Sequence, residues 1–482
     1  MDVPTLFELS VEDRPSLEPP ALDVPEAVLP QDLIRQDNGL PELSEHEVVR
    51  HFLCLSQRNF GVDSGFYPLG SCTMKYNPKI NEDAARLVGF ARTHPLQDPS
   101  MVQGNLALMH QLQTWLGEVG GFPGVSLQPA AGAHGELTGL LMMRAYHADR
   151  GDDRRTQILI PDSAHGTNPA SASMAGLDVL ELPSDERGNI DIAALRAACD
   201  DTVAGLMLTN PNTLGLFDEH VGEVVDLVHS CGGLVYGDGA NLNALAGVIR
   251  PGDLGIDLMH YNLHKTFSTP HGGGGPGSGP VGASAALAAY LPGPVVIETG
   301  HEARYALEMP EKSIGRTGTF FGNFGMLVRA FAYIRMHGAQ GLRQNSMHAV
   351  LNANYLRVLI RDSYPVPFDR MCMHEFVCEG QPAGSDVRAL DVSKRLMDHG
   401  FHPPTNYFPL IVREALMIEP TETETKGTLD AFVDAMKSIA EEAVREPELL
   451  YGAPHATPVG RLDEVKAARN LVVRDPARGG RP

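Results

Sequence analysis

Between residues 125 and 285, short apolar runs alternate with helical patterns, and each run stops at a polar or glycine-rich stretch. Residues 156–160, 177–182, 203–208 and 233–236 read as strands, with an intervening helix over 219–231. Alternation of this kind predicts an α/β fold, a mainly parallel sheet covered by helices. In such sheets ligands bind beyond the carboxyl ends of the strands, so the residues just after each strand are the candidates for chemistry.

The flanks have a different texture. Residues 1–45 are rich in Pro, Asp and Glu and lack periodicity, which predicts an extended arm against another surface. Leu106, Met109, Leu112, Trp115 and Leu116 recur at helical spacing and read as core. Past 330 a long helical stretch through 326–336 and 347–360 leads to short apolar runs at 375–378 and 410–418, a helical pattern at 387–399 and a final helix at 428–444. The expected organisation is an arm with a helical segment at 1–95 contacting partner subunits, a large domain at 96–330, a small α+β domain at 331–450 and a tail at 451–482.

Composition removes several classes of function. The 482 residues carry 38 basic and 60 acidic side chains, a net charge of −22, which argues against nucleic-acid binding. With 43% hydrophobic residues the chain can bury a sizeable core. The most apolar stretch, 281–296, is broken by Pro292, Gly293 and Pro294, so no membrane span is expected. The first twelve residues lack the apolar core of a signal peptide. Six cysteines without a CxxC pair or zinc-like spacing fit reduced thiols, no metal site and a cytoplasmic protein.

Two strand ends carry the strongest chemical signal. Asp238 closes the run Leu234-Val235-Tyr236-Gly237-Asp238, and an acid there is costly unless something cationic pairs with it. Lys265 stands in Asn262-Leu263-His264-Lys265-Thr266-Phe267, before a glycine-rich loop. Either alone has a bland reading, the acid as a helix cap and the lysine as a solvated surface group. Together they suit pyridoxal 5'-phosphate, which needs a lysine for the Schiff base and an acid to keep its ring nitrogen protonated. Three further strand ends fit. Gln128-Pro129-Ala130-Ala131-Gly132-Ala133-His134 precedes a helix and could offer backbone N–H groups to a phosphate. His165 follows the strand at 156–160 and could lie on a pyridine ring. Asn212 and Thr213 follow the strand at 203–208, within reach of the cofactor's phenolic oxygen.

Two other patterns are weaker. The loop at 271–280 holds six glycines but lacks the context of a nucleotide-binding fingerprint, and better suits backbone passing close to a ligand or a neighbouring chain. His260 and His264 are four apart, but on a strand-to-loop segment with no third ligand nearby.

The blocks Tyr67-Pro68-Leu69-Gly70-Ser71-Cys72-Thr73-Met74-Lys75-Tyr76-Asn77-Pro78, 163–171, Asp238-Gly239-Ala240-Asn241-Leu242-Asn243, 262–280 and Glu419-Pro420-Thr421-Glu422 together resemble the P-protein family of the glycine cleavage system, glycine dehydrogenase (decarboxylating). The blocks span most of the chain. It resembles the lysine-bearing half of the family's longer single-chain form, subunit 2 of the two-subunit form. The resemblance implies fold type I of the pyridoxal-phosphate enzymes, with a seven-stranded, mainly parallel sheet in the large domain. It implies a companion subunit 1 in an assembly of two of each, and a reaction in which glycine loses CO2 and its aminomethyl group passes to the lipoyl arm of the H-protein. Lys265, Asp238 and His165 would be catalytic. Ala240, Ala133, His134, His264, Asn212 and Thr213 would complete the cofactor site, and residues 67–77 and 272–279 would line its mouth. The pattern departs from the family at Ala130 and His134, where the single-chain form has Asn and Gln, and at Met259. The alternatives are another fold type I enzyme, a cysteine desulfurase using Cys372 or Cys378 or an aminotransferase, and a non-catalytic scaffold subunit.

Overall fold

The computed structural model describes residues 3–12, 14, 20–34, 39–271, 277–300 and 304–472. They divide between two compact units, one spanning Gly65–His455 and one formed by Met1–Ser64 and Ala456–Pro482.

The larger unit is built on a seven-stranded sheet of β1 (Gly124–Ser126), β2 (Gln157–Pro161), β3 (Asp178–Leu182), β4 (Val203–Thr209), β5 (Leu234–Asp238), β6 (Leu258–His260) and β7 (Val281–Ala283), in the order β1-β7-β6-β5-β4-β2-β3. The five strands from β3 to β6 run parallel, and β7 lies antiparallel to both β6 and β1. Every residue of β4 and β5 is buried, which is why both read as unbroken apolar runs. β5 extends further than its apolar run, to Asp238, because Thr209 and Asp238 still pair in the ladder with β4. The acid therefore sits inside the sheet edge and not in the loop beyond it.

Helices cover both faces. Gln103–Gly120, Val221–Ser230 and the first half of Phe324–Ile360 bury one, with Leu112, Leu116 and Leu206 fully enclosed. Gly132–Asp149 buries the other with Leu140, Met142 and Met143. Trp115 is only partly buried and stacks on Phe331 at a centroid distance of 4.7 Å. A two-stranded ribbon, β8 (Val295–Glu298) with β9 (Tyr305–Glu308), packs beside Gln103–Gly120.

A second core surrounds a small antiparallel sheet of β10 (Phe376–Glu379), β11 (Thr405–Asn406) and β12 (Ala415–Ile418), in the order β10-β12-β11, with the helices Ala389–Asp398 and Lys426–Arg445. The helix Phe324–Ile360 serves both cores: Leu327 and Tyr333 lie in the first, Ala353 and Ile360 in the second, and Gly338 breaks it between them at φ 63°. Phe66 also belongs to the second core, and Leu69 bridges to Ile418 at the edge of the small sheet.

In the other unit the helix Glu45–Ser56 starts on a capping box of Ser44 and Glu47 and has no buried residue, so Val49, Phe52 and Leu53 are exposed. No helix among the described residues is long and apolar enough to cross a membrane.

One buried ion pair ties the two cores together. Lys75 Nζ is fully enclosed and donates to Glu422 Oε1 at 2.7 Å, Asn243 Oδ1 at 2.8 Å and the Thr266 carbonyl at 2.8 Å, and lies 5.3 Å from the Tyr333 ring centre. Burial pulls its pKa down, but Glu422 and Tyr333 outweigh that and keep it charged. Lys75→Ala should leave Glu422 as a buried, unpaired charge and cost about 3–5 kcal/mol in urea unfolding. Adding Glu422→Gln should recover part of the loss; a purely additive double variant would contradict the pairing.

Candidate active site

The site forms where β2, β4, β5 and β6 end. Asp238, the last residue of β5, is buried, and its Oδ1 accepts the Ala240 N–H at 2.9 Å and lies 3.4 Å from His260 Nε2. Asn168, set with its amide nitrogen toward the acids, reaches Asp238 Oδ2 at 3.3 Å and Glu136 Oε2 at 3.2 Å. Burial by itself would raise the Asp238 pKa. The fields of His260, the Ala240 amide, Lys265 and His165 overcome it and hold the carboxyl below its ordinary value, so it stays ionised. His260 is fixed in turn: Tyr236 Oη lies 2.6 Å from its Nδ1, and Asn262 Oδ1 lies 2.7 Å from its Nε2. The network is satisfied with the Tyr236 hydroxyl donating to Nδ1 and the Nε2 proton facing Asn262 and Asp238.

This clustering needs backbone close to side chains. A Cβ on Gly132 would meet Asn262 Nδ2 at 2.5 Å, and one on Gly239 would collide with the His260 carbonyl oxygen. Gly132, read from sequence as part of a phosphate loop, thus also lets the helix Gly132–Asp149 start against the Asp238 network. No side chain caps that helix, so the first-turn amides at Gly132, Ala133 and His134 have no side-chain acceptor. The His134 ring is committed to the loop, its Nδ1 accepting the Ala130 N–H at 3.1 Å.

Glu136, one turn further on, orders the segment after β2. Its Oε1 accepts from Thr167 Oγ1 and its Oε2 from Ser171 Oγ, both at 2.8 Å, and Thr167 Oγ1 lies 3.0 Å from His165 Nδ1. His165 is half-buried, and burial lowers its pKa against the opposing pull of Asp238.

Lys265 follows β6, and its Nζ donates to the Ser71 carbonyl at 2.7 Å. The loop carrying Ser71 comes off the edge of the small sheet and is held by two buried acids. The Ser71 N–H donates to Glu375 Oε2 at 2.6 Å and the Thr73 N–H to Glu419 Oε2 at 2.8 Å. Burial raises both carboxyls, Glu419 to about 7. His374 lies between their other oxygens; burial pushes it down to about 3 and leaves it neutral. These three groups bring one ligand atom each within 4.8 Å of one another. Its Nδ1 has no hydrogen-bond partner, whereas a metal-bound imidazole ordinarily donates its second N–H to an orienting acceptor.

The remaining expected residues are placed as follows. His264 Nε2 lies 3.3 Å from Asn262 Nδ2, and burial, then His271 and Lys265, lower its pKa to about 3, so it is a neutral neighbour of the lysine. Ala240 takes part through its backbone. Asn212 spends its side chain on the turn after β4, donating to the Gly188 carbonyl at 2.7 Å and accepting from the Leu214 and Leu216 amides. Thr213 Oγ1 donates to the Ser163 carbonyl. Of the proposed mouth, residues 272–276 lie outside the described residues. His260 was visible in sequence only as a weak metal partner of His264, and Asn168, Glu136 and Asn262 stood in quoted or neighbouring segments without a distinguishing signal.

Comparison with known proteins identifies the family. Residues 345–449 match the family model for the glycine dehydrogenase C-terminal domain. The chain is 58% identical over 476 residues to the probable glycine dehydrogenase (decarboxylating) subunit 2 of Caldanaerobacter subterraneus, covering 97% of this chain and 98% of that one. It is 54% identical over 479 residues to the protein of the same name in Bacillus velezensis, covering 98% and 97%. This chain belongs to the glycine dehydrogenase (decarboxylating) subunit 2 family. Among solved structures, the P-protein of a glycine cleavage system in inhibitor-bound form superposes with a TM-score of 0.72 at 21% identity, covering 85% of this chain and 93% of that one. Lactobacillus brevis glutamate decarboxylase gives 0.66 at 13%, covering 88% and 96%. The fold of this subunit 2 family member is thus type I, as expected. The Escherichia coli cysteine desulfurase CsdA shares it at a TM-score of 0.59 and 18% identity, covering 79% of this chain and 96% of that one, so the fold alone does not separate the activities.

The folded pKa of Glu419 lies above the usual 4.5, so the stability contributed by its protonated form is complete below about 4.5 and is lost as pH rises to about 7. Glu419→Gln removes that titration. The stability of the wild type relative to the variant should therefore fall by about 2–3 kcal/mol between pH 5 and pH 8 in denaturant unfolding. A constant difference, or one that grows with pH, would contradict a raised Glu419.

Proposed function

We propose that this chain is the cofactor-bearing subunit of a glycine decarboxylase. It would bind pyridoxal 5'-phosphate on Lys265, remove CO2 from glycine, and deliver the aminomethyl group to the lipoyl arm of an H-protein, whose disulfide is reduced as the carbon joins one sulfur. The observation that carries this reading is a buried, ionised Asp238 at the end of β5 beside Lys265 beyond β6, in a chain of the glycine dehydrogenase family.

The residues fit the cofactor. Thr209 Oγ1, paired across the ladder from Asp238, is a buried hydroxyl without a partner, and the uncapped helix at Gly132 suits a phosphate. Bound there, pyridoxal phosphate supplies a protonated ring that accepts the electron pair left behind as CO2 departs. Asp238 would hold the proton on the ring nitrogen, and His260, Asn168 and the Ala240 amide keep that carboxylate ionised and aimed. His165, steadied through Thr167 and Glu136, would cover a ring face. Lys265 would hold the cofactor and release it to glycine. Ala133 and His134 would contribute backbone amides to the phosphate, with His264 beside them as a neutral imidazole. Asn212 and Thr213 would act by shaping the floor at the end of β4.

A companion subunit 1, similar in fold and lacking the lysine, would complete an assembly of two of each. The exposed apolar side chains of the helix Glu45–Ser56 support an N-terminal segment made for such a contact. For the desulfurase alternative, both candidate nucleophiles are enclosed in the second core, where burial pushes the thiols of Cys372 and Cys378 to about 12.

Exchange of labelled bicarbonate into the carboxyl group of glycine, with subunit 1 and lipoylated H-protein present, tests the proposal. Lys265→Ala should abolish exchange, and Asp238→Ala should lower it at least about 100-fold while cofactor still binds. No exchange by the wild type, with sulfide released from cysteine, would overturn the reading; near-normal exchange in Asp238→Ala would refute that residue's role.

A further inference from the structure

Glu375 and Glu419 have no part in the chemistry above, yet they sit behind its lysine. Glu375 directly precedes β10 and Glu419 directly follows β12, and the register Phe376↔Ile418 sets the two side by side. Both are fully buried. One oxygen of each is engaged, by the Ser71 and Thr73 amides. The other two, both Oε1, face His374 Nε2 at 3.9 and 3.8 Å and have no hydrogen-bond partner. Two adjacent carboxyls so enclosed do not both ionise, so the pair carries at most one negative charge. Lys265, Lys75 and Cys72 are the other titratable groups whose fields reach it.

The loop they grip is strained. Ser71 and Thr73 have φ of 61° and 48°, a region that side-chain-bearing residues avoid and that persists only where the surroundings over-determine it. Two amides held by buried carboxyls supply that restraint. The Ser71 carbonyl, fixed by the same loop, is the acceptor of the Lys265 amine. A chain of direct contacts therefore runs from each core of the larger unit to the other through one residue, Ser71.

We propose that Glu375 and Glu419 are positioning residues for Lys265: they suspend the Ser71–Thr73 loop by its amides and so set the carbonyl that orients the lysine amine. The proposal rests on Lys265 being the lysine that takes the cofactor. Its consequence is that the small sheet, which contributes no group to the cofactor chemistry itself, sets how readily that lysine reacts.

The test is the rate at which the full-length chain, freed of cofactor, captures pyridoxal phosphate covalently, followed by visible absorbance. Borohydride reduction and peptide mapping then locate the modified lysine. Glu375→Ala and Glu419→Ala should slow capture at Lys265 at least about tenfold. Glu375→Gln should stay within about threefold of wild type, because its carbonyl still accepts the Ser71 amide and its NH2 can donate to Glu419. Ile439→Ala, a cavity in the same core on the helix Lys426–Arg445, controls for lost stability and should change the rate less than about twofold. Wild-type capture in either alanine variant would overturn the proposal, as would a loss in Glu375→Gln as severe as in Glu375→Ala. Capture at a different lysine in the wild type would overturn both this proposal and the functional reading; capture at Lys265 with unaffected variants would sink the proposal alone.

Discussion

An ionised carboxylate at the end of a buried parallel strand is the demand around which the site is arranged. Taken out of water, Asp238 would protonate unless cationic and hydrogen-bonding groups held its charge in place. His260, the Ala240 amide, Asn168 and the nearby Lys265 do so. Each has its own anchor. Tyr236 and Asn262 fix His260, and Glu136 receives Asn168 while it also accepts from Thr167 and Ser171. The glycines at 132 and 239 are the steric condition for packing these groups so tightly. A single acid thus accounts for residue types spread over three strand ends and one helix start.

The lysine has a different kind of support. Its amine is met by a carbonyl from a loop that leaves the small sheet, and that loop is held by acids from the same sheet. Four residues after Ser71, Lys75 pins the loop's far end with a buried pair to Glu422 and bonds to Asn243 and Thr266 of the large core. The two cores meet at Lys265 through a segment of a few residues. In the block Tyr67–Pro78 the polar residues thus link the two cores, and Lys75 in particular is committed to a buried ion pair.

Sequence made the sheet, Asp238, Lys265 and His165 legible for one reason, that a parallel α/β sheet exposes function where its strands stop. β4 and β5 are buried on both faces and so read as continuous apolar runs. Groups that act on Asp238 through partners distant in sequence carried no such signal. Glu136 and Asn168 look ordinary until the helix after β1 and the helix after β2 are seen to pack. Glu375 and Glu419 are paired only by the small sheet's register, more than three hundred residues from the loop they hold. Asn212 and Thr213 sit at the right strand end but spend their side chains on backbone groups, Asn212 on the turn and the Gly188 carbonyl and Thr213 on the Ser163 carbonyl. The long helix at 324–360 is legible as two stretches, which the structure joins into one element with a break at Gly338. Glycine dehydrogenase is separated from a desulfurase by the sequence blocks and by whole-chain identity, since the fold is common to both.

The most direct measurement of the central claim, that Asp238 stays ionised to hold a proton on the cofactor, is the nitrogen-15 chemical shift of pyridoxal phosphate labelled at its ring nitrogen and bound to the protein. A pyridinium shift in the wild type that moves to the neutral-pyridine value in Asp238→Asn, with the label attached at Lys265 in both, is the expected result. A neutral-pyridine shift in the wild type, or an unchanged pyridinium shift in the variant, would contradict it.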